Sequence, residues 1–167
     1  MRFAATAITF ISIISLGRGD YDEFTSLGCP ITTKPHASHL EQIAAWDDFA
    51  DLLYNQKRIT DAFAKYAATG YINHSPLVTM NGKNATIAEL IQIVPNVTPE
   101  LRHSYVGWDK NGTAFGTAHT KVTGGEKMGI PDSALVDIIR MDGTCLVEHW
   151  DVLEVINASA PNPIAYF

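Results

Sequence analysis

The sequence has little cysteine and no cluster of positive charge. Cys29 and Cys145 are its only cysteines in 167 residues, which excludes a cysteine-rich scaffold and a cysteine-based zinc site. Lys and Arg number 12 against 18 Asp and Glu, a formal net charge of −6, and the only adjacent basic pair is Lys57–Arg58. Because nucleic-acid phosphates are bound by clustered positive charge, we expect no nucleic-acid partner.

Several familiar catalytic motifs are also absent. The sequence has no G-x-S-x-G, G-x-x-x-x-G-K, G-x-G-x-x-G or H-E-x-x-H segment, so covalent hydrolysis, nucleotide chemistry and zinc proteolysis lack support. Apolar residues make up 46% and charged residues 18%. This composition and length are typical of one folded domain with a packed core.

An export signal is indicated at the amino terminus. Phe3–Leu16 is an uncharged stretch of fourteen residues, shorter than the ~20 helical residues that span a bilayer but typical of a signal peptide. Small residues favour cleavage after Gly17, with Gly19 as the alternative. We therefore expect a signal peptide at 1–17, a secreted protein, and no membrane span in the mature form. The competing interpretation is a buried first helix of the domain.

N-glycosylation sequons are consistent with export. Five asparagines begin a sequon. The sequons of Asn73 and Asn96 are followed by proline, which makes a sequon a poor acceptor. The other three are those of Asn84, Asn111 and Asn157. We expect a glycoprotein modified at Asn84 or Asn111.

The segment 18–37 reads as an extended lead-in, with Cys29–Pro30 and Lys34–Pro35 and few periodic apolar residues. In an oxidising compartment Cys29 would pair with Cys145; the alternative is two separate thiols.

Helical signals come first along the chain. Capping residues and helical apolar spacing predict three helices: one from the Ser38-x-x-Glu41 capping box to about Tyr54, one capped by Thr60 or Asp61 and ended by Gly70, and one opened by Thr86-x-x-Glu89 that stops before Pro95.

Strand signals follow. Four strands are predicted at 101–108, 113–122, 134–140 and 144–156, joined in two hairpins at Asp109–Gly112 and Asp142–Gly143. Helices followed by antiparallel strands indicate an α+β domain with helices on one face of a curved sheet.

Titratable residues interrupt these apolar patterns at three places. Asp137 lies inside an apolar predicted strand. In the last predicted strand, three titratable residues flank Trp150: Glu148, His149 and Asp151. His74 lies on a predicted loop within 71–76. A three-residue turn would pair Asp137 with Val147 and put Asp137, His149 and Asp151 on one face, whereas a two-residue Asp142–Gly143 turn would group Asp137 with Glu148 and Trp150. The sequence leaves both registers open.

Each of these residues also has a plainer interpretation. His74 can cap a helix end, and Asp137 can face outward and pair with Arg140 or Lys121. His119, which alternates with Phe115, can be a core histidine. His149 and Asp151 can face solvent, and Trp150 can simply pack in the core.

One family combines these features. The pattern Tyr71-Ile-x-His74-x-Pro76, then His119, then Val136 to Val152 with Asp137 and Glu148-His149-Trp150-Asp151, then Asn162-Pro163 and Phe167, resembles the SnoaL-like polyketide cyclase family of the nuclear transport factor 2-like superfamily. The resemblance covers 38–167. It implies a cone in which about three N-terminal helices wrap a curved antiparallel sheet around an apolar pocket, and acid/base chemistry without a metal or organic cofactor.

The resemblance also implies roles for individual residues. Asp137 matches the family's strand aspartate and His74 its helix-end histidine. We expect a secreted cyclase, isomerase or dehydratase acting on a small hydrophobic carbonyl compound, in which Asp137 is the general base and His74 or His119 binds the developing enolate oxygen. The residues expected to bind the substrate are Tyr71, Trp150, His149, Asp151 and Phe115.

Two other functions compete with the enzyme. The same pocket would serve a non-catalytic carrier of a small apolar ligand. A homodimer module would instead use an exposed sheet face that includes Val106 and Trp108.

Overall fold

A computed structural model describes residues 24–162 and 164–167; the predicted signal peptide, 1–17, and the start of the lead-in lie outside this range. The elements, in chain order, are α1 (His39–Ala50), a π-helix (Asp51–Asn55), α2 (Ile59–Tyr66), β1 (Ala67–Asn73), α3 (Lys83–Ile93), a 3-10 turn (Val94–Asn96), β2 (Thr98–Trp108), β3 (Ala114–Thr123), a 3-10 turn (Glu126–Met128), β4 (Ser133–Asp142) and β5 (Cys145–Val155).

The strands form one curved, unclosed sheet in the order β1-β5-β4-β3-β2. Strands β2 to β5 are antiparallel neighbours, as predicted. The α+β fold class is therefore confirmed.

The edge strand β1 corrects the predicted wholly antiparallel sheet, because it runs parallel to β5. The sequence predicted a helix through to Gly70, but α2 ends at Tyr66 and β1 begins at Ala67. Backbone N–H groups of Thr69 and Gly70 donate to the carbonyls of Gly28 and Leu27. Tertiary pairing on both sides thus overrides local helical spacing, and the sheet is mixed.

Helix α1 begins at the predicted capping box. The Ser38 hydroxyl accepts from the Glu41 N–H, and a Glu41 carboxylate oxygen accepts from the Ser38 N–H at 2.9 Å. Helix α3 starts at Lys83 rather than at Thr86, whose hydroxyl donates to the Gly82 carbonyl within the first turn. This helix ends before Pro95, as predicted.

The core lies between the helices and the concave face of the sheet. The fully buried ring of Trp46 lies directly over Gly116, where an added Cβ would come within 2.1 Å of it. Its Nε1–H donates to the Ser104 hydroxyl at 2.9 Å. Only glycine at this position lets α1 approach β3 so closely.

Val106 and Trp108 do not form the exposed face predicted for a dimer. Both are partly buried and pack against the core, and Trp108 Nε1–H donates to the Gln42 side chain at 2.8 Å. The described helices include none with the length and apolarity needed to cross a membrane.

A disulfide ties the lead-in to the sheet, since Cys29 is bonded to Cys145 at the start of β5. The following segment is held against the β4–β5 turn, where the Thr144 N–H donates to the Lys34 carbonyl. At Gly143, with φ +54°, an added Cβ would lie 1.9 Å from that carbonyl oxygen. The described part of the lead-in is therefore packed against the domain.

The register of the β4–β5 hairpin differs from both predicted alternatives. Asp142 pairs with Cys145 across the turn, and a bulge beside Arg140 then brings Asp137 opposite Asp151. The bulge restores the grouping of Asp137, His149 and Asp151 on one face, which was the first alternative.

Candidate functional site

A cavity of about 440 Å³ opens between the concave sheet face and α2, α3 and the loop after β1. Its volume falls within the range of small-molecule sites. The lining is mainly apolar and includes Phe63, Leu77, Val78, Leu90, Ile93 and Leu135. The predicted apolar pocket is therefore present.

Polar side chains converge on one wall of this cavity. Asp137 from β4 and His149 from β5 are each only 8% exposed, and His149 Nε2 lies 2.9 Å from Asp137 Oδ1. Asp151 lies on the same face, two residues beyond His149, and also lines the cavity. The strand period of two brings the three side chains together.

Asn73, the last residue of β1, orients the imidazole of His149. The Ser75 backbone N–H donates to Asn73 Oδ1, and Asn73 Nδ2 donates to the Thr86 hydroxyl, each at 2.9 Å. The amide oxygen therefore faces His149 Nδ1, which lies 2.9 Å away. An oxygen can only accept, so Nδ1 carries a proton.

This assignment defines the contact between His149 and Asp137. With Nδ1 protonated, a neutral His149 would point its Nε2 lone pair at an oxygen of the Asp137 carboxyl. The 2.9 Å contact is favourable only with a proton between the two atoms, in an imidazolium–carboxylate or imidazole–carboxylic acid pair. Asp137 and His149 thus share one proton.

Tyr54 is the second hydrogen-bond partner of the Asp137 carboxylate. It lies in the π-helix after α1, an irregular turn often found at functional sites, and its hydroxyl donates to Asp137 Oδ2 at 2.6 Å. Burial raises the pKa of Tyr54 well above its ordinary value of 10.0, and the charge of Asp137 and this hydrogen bond raise it further. Tyr54 therefore remains a donor at all physiological pH values.

Tyr71, predicted to bind substrate, is buried and lines the cavity. Burial raises the pKa of its hydroxyl well above 10.0, with the charges of Asp137 and Asp151 adding to the effect. Its ring meets Phe63 edge-on, so Tyr71 presents a fixed aromatic wall to the cavity.

Asp137, His149 and Asp151 also offer ligand atoms within 4.8 Å of one another. Two carboxylates and an imidazole at this spacing are compatible with a divalent cation. The imidazole would bind through Nε2, because Nδ1 donates to Asn73.

His74 and Trp150 lie on the convex side of the sheet. The His74 ring stacks on Trp150 with centroids 5.1 Å apart, and its Nε2 lies 2.8 Å from Glu148. Burial tends to raise the pKa of Glu148, but hydrogen bonds from His74 and Arg140 together with their charges outweigh it, and the pKa falls below its ordinary 4.5. The structure does not bring either predicted site residue to Asp137.

His119 and Phe115 are likewise on the convex side, because on β3 the alternate residues, such as Ala118, face the core. His119 stacks between His103 and Phe167. Of the predicted site residues, Asp137, His149, Asp151 and Tyr71 line the cavity, whereas His74, His119, Trp150 and Phe115 do not.

Tyr54 and Asn73 are site residues that sequence reasoning missed. Tyr54 appeared as the last residue of an apolar helical pattern, and Asn73 as part of a weak sequon. The signal that could have identified Asn73 is its position directly before His74, in the segment already singled out. The parallel pairing of Asn73 with His149 brings it into the site.

No family model and no curated protein matches the chain. Solved structures do: TsrD from Streptomyces laurentii (17% identity, TM-score 0.50, covering 68% of this chain and 88% of that one) and an LEH-like epoxide hydrolase from M. tuberculosis (15%, 0.51, 70% and 84%). A candidate isomerase of the SnoaL-like family from Agrobacterium tumefaciens is also similar (13%, 0.49, 68% and 97%).

At these identities the likeness concerns the fold. The helices packed on one curved five-stranded sheet and the cavity between them agree with the expected cone. The chain has the fold of the SnoaL-like, nuclear transport factor 2-like proteins.

Proposed function

We propose that the protein is an acid/base enzyme that moves a proton on a small hydrophobic carbonyl compound, as a cyclase, isomerase or dehydratase. The observation that carries this proposal is the 2.9 Å contact between His149 Nε2 and Asp137 Oδ1 on the wall of an apolar cavity. A buried carboxylate and imidazole that both reach such a space are suited to proton transfer.

Asp137 is the general base. Its two oxygens accept from Tyr54 and His149, but each carboxylate oxygen has two lone pairs, so each oxygen keeps one lone pair that can accept the substrate proton. The carbon–hydrogen bond next to the carbonyl breaks, the proton goes to Asp137, and the electron pair moves onto the carbonyl oxygen. Return of that proton at another position completes an isomerisation.

Tyr54 takes the role that the sequence assigned to His74 or His119. Once Asp137 has accepted the proton it is neutral and a weaker acceptor. The Tyr54 hydroxyl, which stays protonated, can then turn to the enolate oxygen, while His149 supplies a nearby positive charge. Donors aimed at developing negative charge lower the barrier most in a dry site.

One protein of this fold, the structure from M. tuberculosis, is named as an epoxide hydrolase. That a protein with this fold is an enzyme, although of a different reaction, supports a catalytic role for the cavity. The specific reaction of the present chain rests on the geometry of Asp137, His149 and Tyr54.

Export is part of the proposal. Cleavage of the signal-like segment 1–17 would leave the lead-in 18–37 and the domain 38–167. Export is supported by the bond between Cys29 and Cys145, because structural disulfides persist in oxidising compartments. In a eukaryotic host, a glycan is expected at Asn84 or Asn111, both of which are exposed.

The test is proton exchange at carbon. Purified protein is mixed with 2-tetralone in D₂O, and loss of the protons next to the carbonyl is followed by NMR. We expect exchange faster than in buffer, and a reduction of about 10²- to 10⁴-fold in Asp137→Asn, which keeps shape but loses the base.

The matched control is Asp47→Asn on the exposed surface of α1, which should exchange as the wild type does. Melting curves establish that both variants are folded. Full exchange by folded Asp137→Asn contradicts the assignment of the base. Binding of 2-tetralone with exchange no faster than in buffer would instead support the carrier. Repeating the assay with EDTA separates a protein base from a metal-dependent reaction.

A further inference from the structure

A hydroxyl on the sheet wall of the cavity has no hydrogen-bond partner among the described residues. Thr120 is 0% exposed and lines the cavity, yet its Oγ1 has no hydrogen bond to any residue that the structure describes. A buried hydroxyl without a partner is unfavourable, and native proteins rarely keep one without a reason. The position therefore points to a group supplied from within the cavity.

The sheet register places Thr120 relative to the base. Thr120 pairs with Leu135, and Ala118 pairs with Asp137, so Thr120 and Asp137 are diagonal neighbours on the same face. Strand spacing and rise put their Cα atoms about 8 Å apart. Leu135, the residue opposite Thr120 on β4, is apolar, and so is Val122, the next cavity-lining residue of β3.

We propose that Thr120 is a substrate-binding residue whose hydroxyl forms a hydrogen bond with a second oxygen-containing group of the ligand, the first being the reacting carbonyl. The ligand is then a mainly apolar carbonyl compound with a hydroxyl or carbonyl group remote from the reacting carbonyl. The assignment of the first oxygen to the Asp137 end rests on the proposed function; the contact with Thr120 does not.

The chemistry of the hydroxyl determines what it selects. A threonine side chain both donates and accepts, so it binds either a hydroxyl or a carbonyl. A site that leaves a buried polar group unpaired rejects an analogue that lacks the matching group. Thr120 therefore discriminates between ligands with one and two oxygen functions.

The experiment uses 2-naphthol, a planar mimic of an enol, and naphthalene-2,6-diol, which adds one hydroxyl at the far end. Their affinities are measured by titration calorimetry for the wild type and for Thr120→Val, which preserves volume. We expect the diol to bind about tenfold more tightly than 2-naphthol to the wild type, about one hydrogen bond, and equally to Thr120→Val.

Two further variants complete the design. Thr120→Ser restores a hydroxyl and should recover the preference for the diol. Thr117 lies on the opposite face of the same strand, so Thr117→Val should bind both probes as the wild type does. Melting curves check that each is folded.

Equal binding of the two probes to the wild type overturns the proposal, as does a preference that persists in Thr120→Val. The result is independent of catalysis. If folded Asp137→Asn exchanges at the wild-type rate while Thr120→Val loses the preference for the diol, the proposed enzyme is refuted and the Thr120 contact stands. If Asp137→Asn loses exchange while the preference for the diol persists in Thr120→Val, the Thr120 contact is refuted and the proposed enzyme stands.

Discussion

The amide oxygen of Asn73 accepts a hydrogen bond from Nδ1 of His149 at 2.9 Å, and the tautomer of the imidazole follows from that contact. The Ser75 N–H holds the amide in this orientation from the other side. Asn73 is therefore a positioning residue that acts on Asp137 through His149.

Asn73→Leu should lower the rate of 2-tetralone exchange by about 10- to 100-fold, the usual effect of losing a partner that orients a functional histidine. Asn73→Asp keeps an acceptor for Nδ1 and should retain most of the rate. Because the added carboxylate stabilises the imidazolium, the dependence of the rate on pH should shift upwards in Asn73→Asp. A merely structural role for Asn73 would leave that pH profile unchanged, and the profile is measured from exchange rates across the pH range.

Tyr54 and Tyr71 should remain un-ionised in alkaline solution. Burial, followed by nearby carboxylate charge, raises the pKa of both hydroxyls well above 10.0. A titration followed by tyrosinate absorbance should therefore give the same curve for the wild type and Tyr54→Phe until the protein unfolds. Tyr54→Phe should still lose about 10²-fold in exchange rate, as when an oxyanion donor is removed. If the wild type shows an additional tyrosine that ionises near its ordinary pKa and that is missing in Tyr54→Phe, the Tyr54 hydroxyl is not buried as described.

The sequence predicted the elements that depend on local signals. The Ser38–Glu41 capping box and the Asp109–Gly112 hairpin signal a helix start and a turn through residues a few positions apart, and both are present. Asp137 was identified because a carboxylate inside an apolar strand needs a partner.

The features that were missed depend on contacts between distant segments. β1 is a strand only because β5 and the lead-in pair with it, and the paired residues are at least 41 positions apart in the sequence. His74 and Asn73 are adjacent in sequence, yet the end of β1 sends one to the convex side and the other to the cavity. Which of the two faces the site depends on register, and sequence alternation alone leaves register undetermined.

Glu148 should stabilise the protein in a pH-dependent way. Its pKa is below the ordinary 4.5, since the hydrogen bonds from His74 and Arg140 outweigh the effect of burial. A lowered folded-state pKa gives stability that is present above the unfolded value and lost as pH falls through the folded value. Glu148→Gln should therefore melt at a lower temperature than the wild type near neutral pH, with the difference shrinking below about pH 4. Glu154→Gln, an exposed carboxamide variant on the same strand, is the control; an equal deficit at every pH would mean that packing rather than charge is lost.

The bond between Cys29 and Cys145 should dominate the stability of the lead-in. The two residues are 116 positions apart, and cross-linking so long a loop restricts the unfolded chain strongly, so that removing such a bond commonly reduces the free energy of unfolding by about 2–5 kcal/mol. Cys29→Ala combined with Cys145→Ala should show this loss in urea denaturation. The alanines leave the core cluster around Val147 apolar, so the effect reports the cross-link. Mild reduction of the wild type should produce the same loss, whereas reduction of the double variant should change nothing. Because Asp137, His149 and Asn73 are held by the sheet and by one another, 2-tetralone exchange by the folded double variant should stay near the wild-type rate, and a large loss of exchange would show that the lead-in also positions the site.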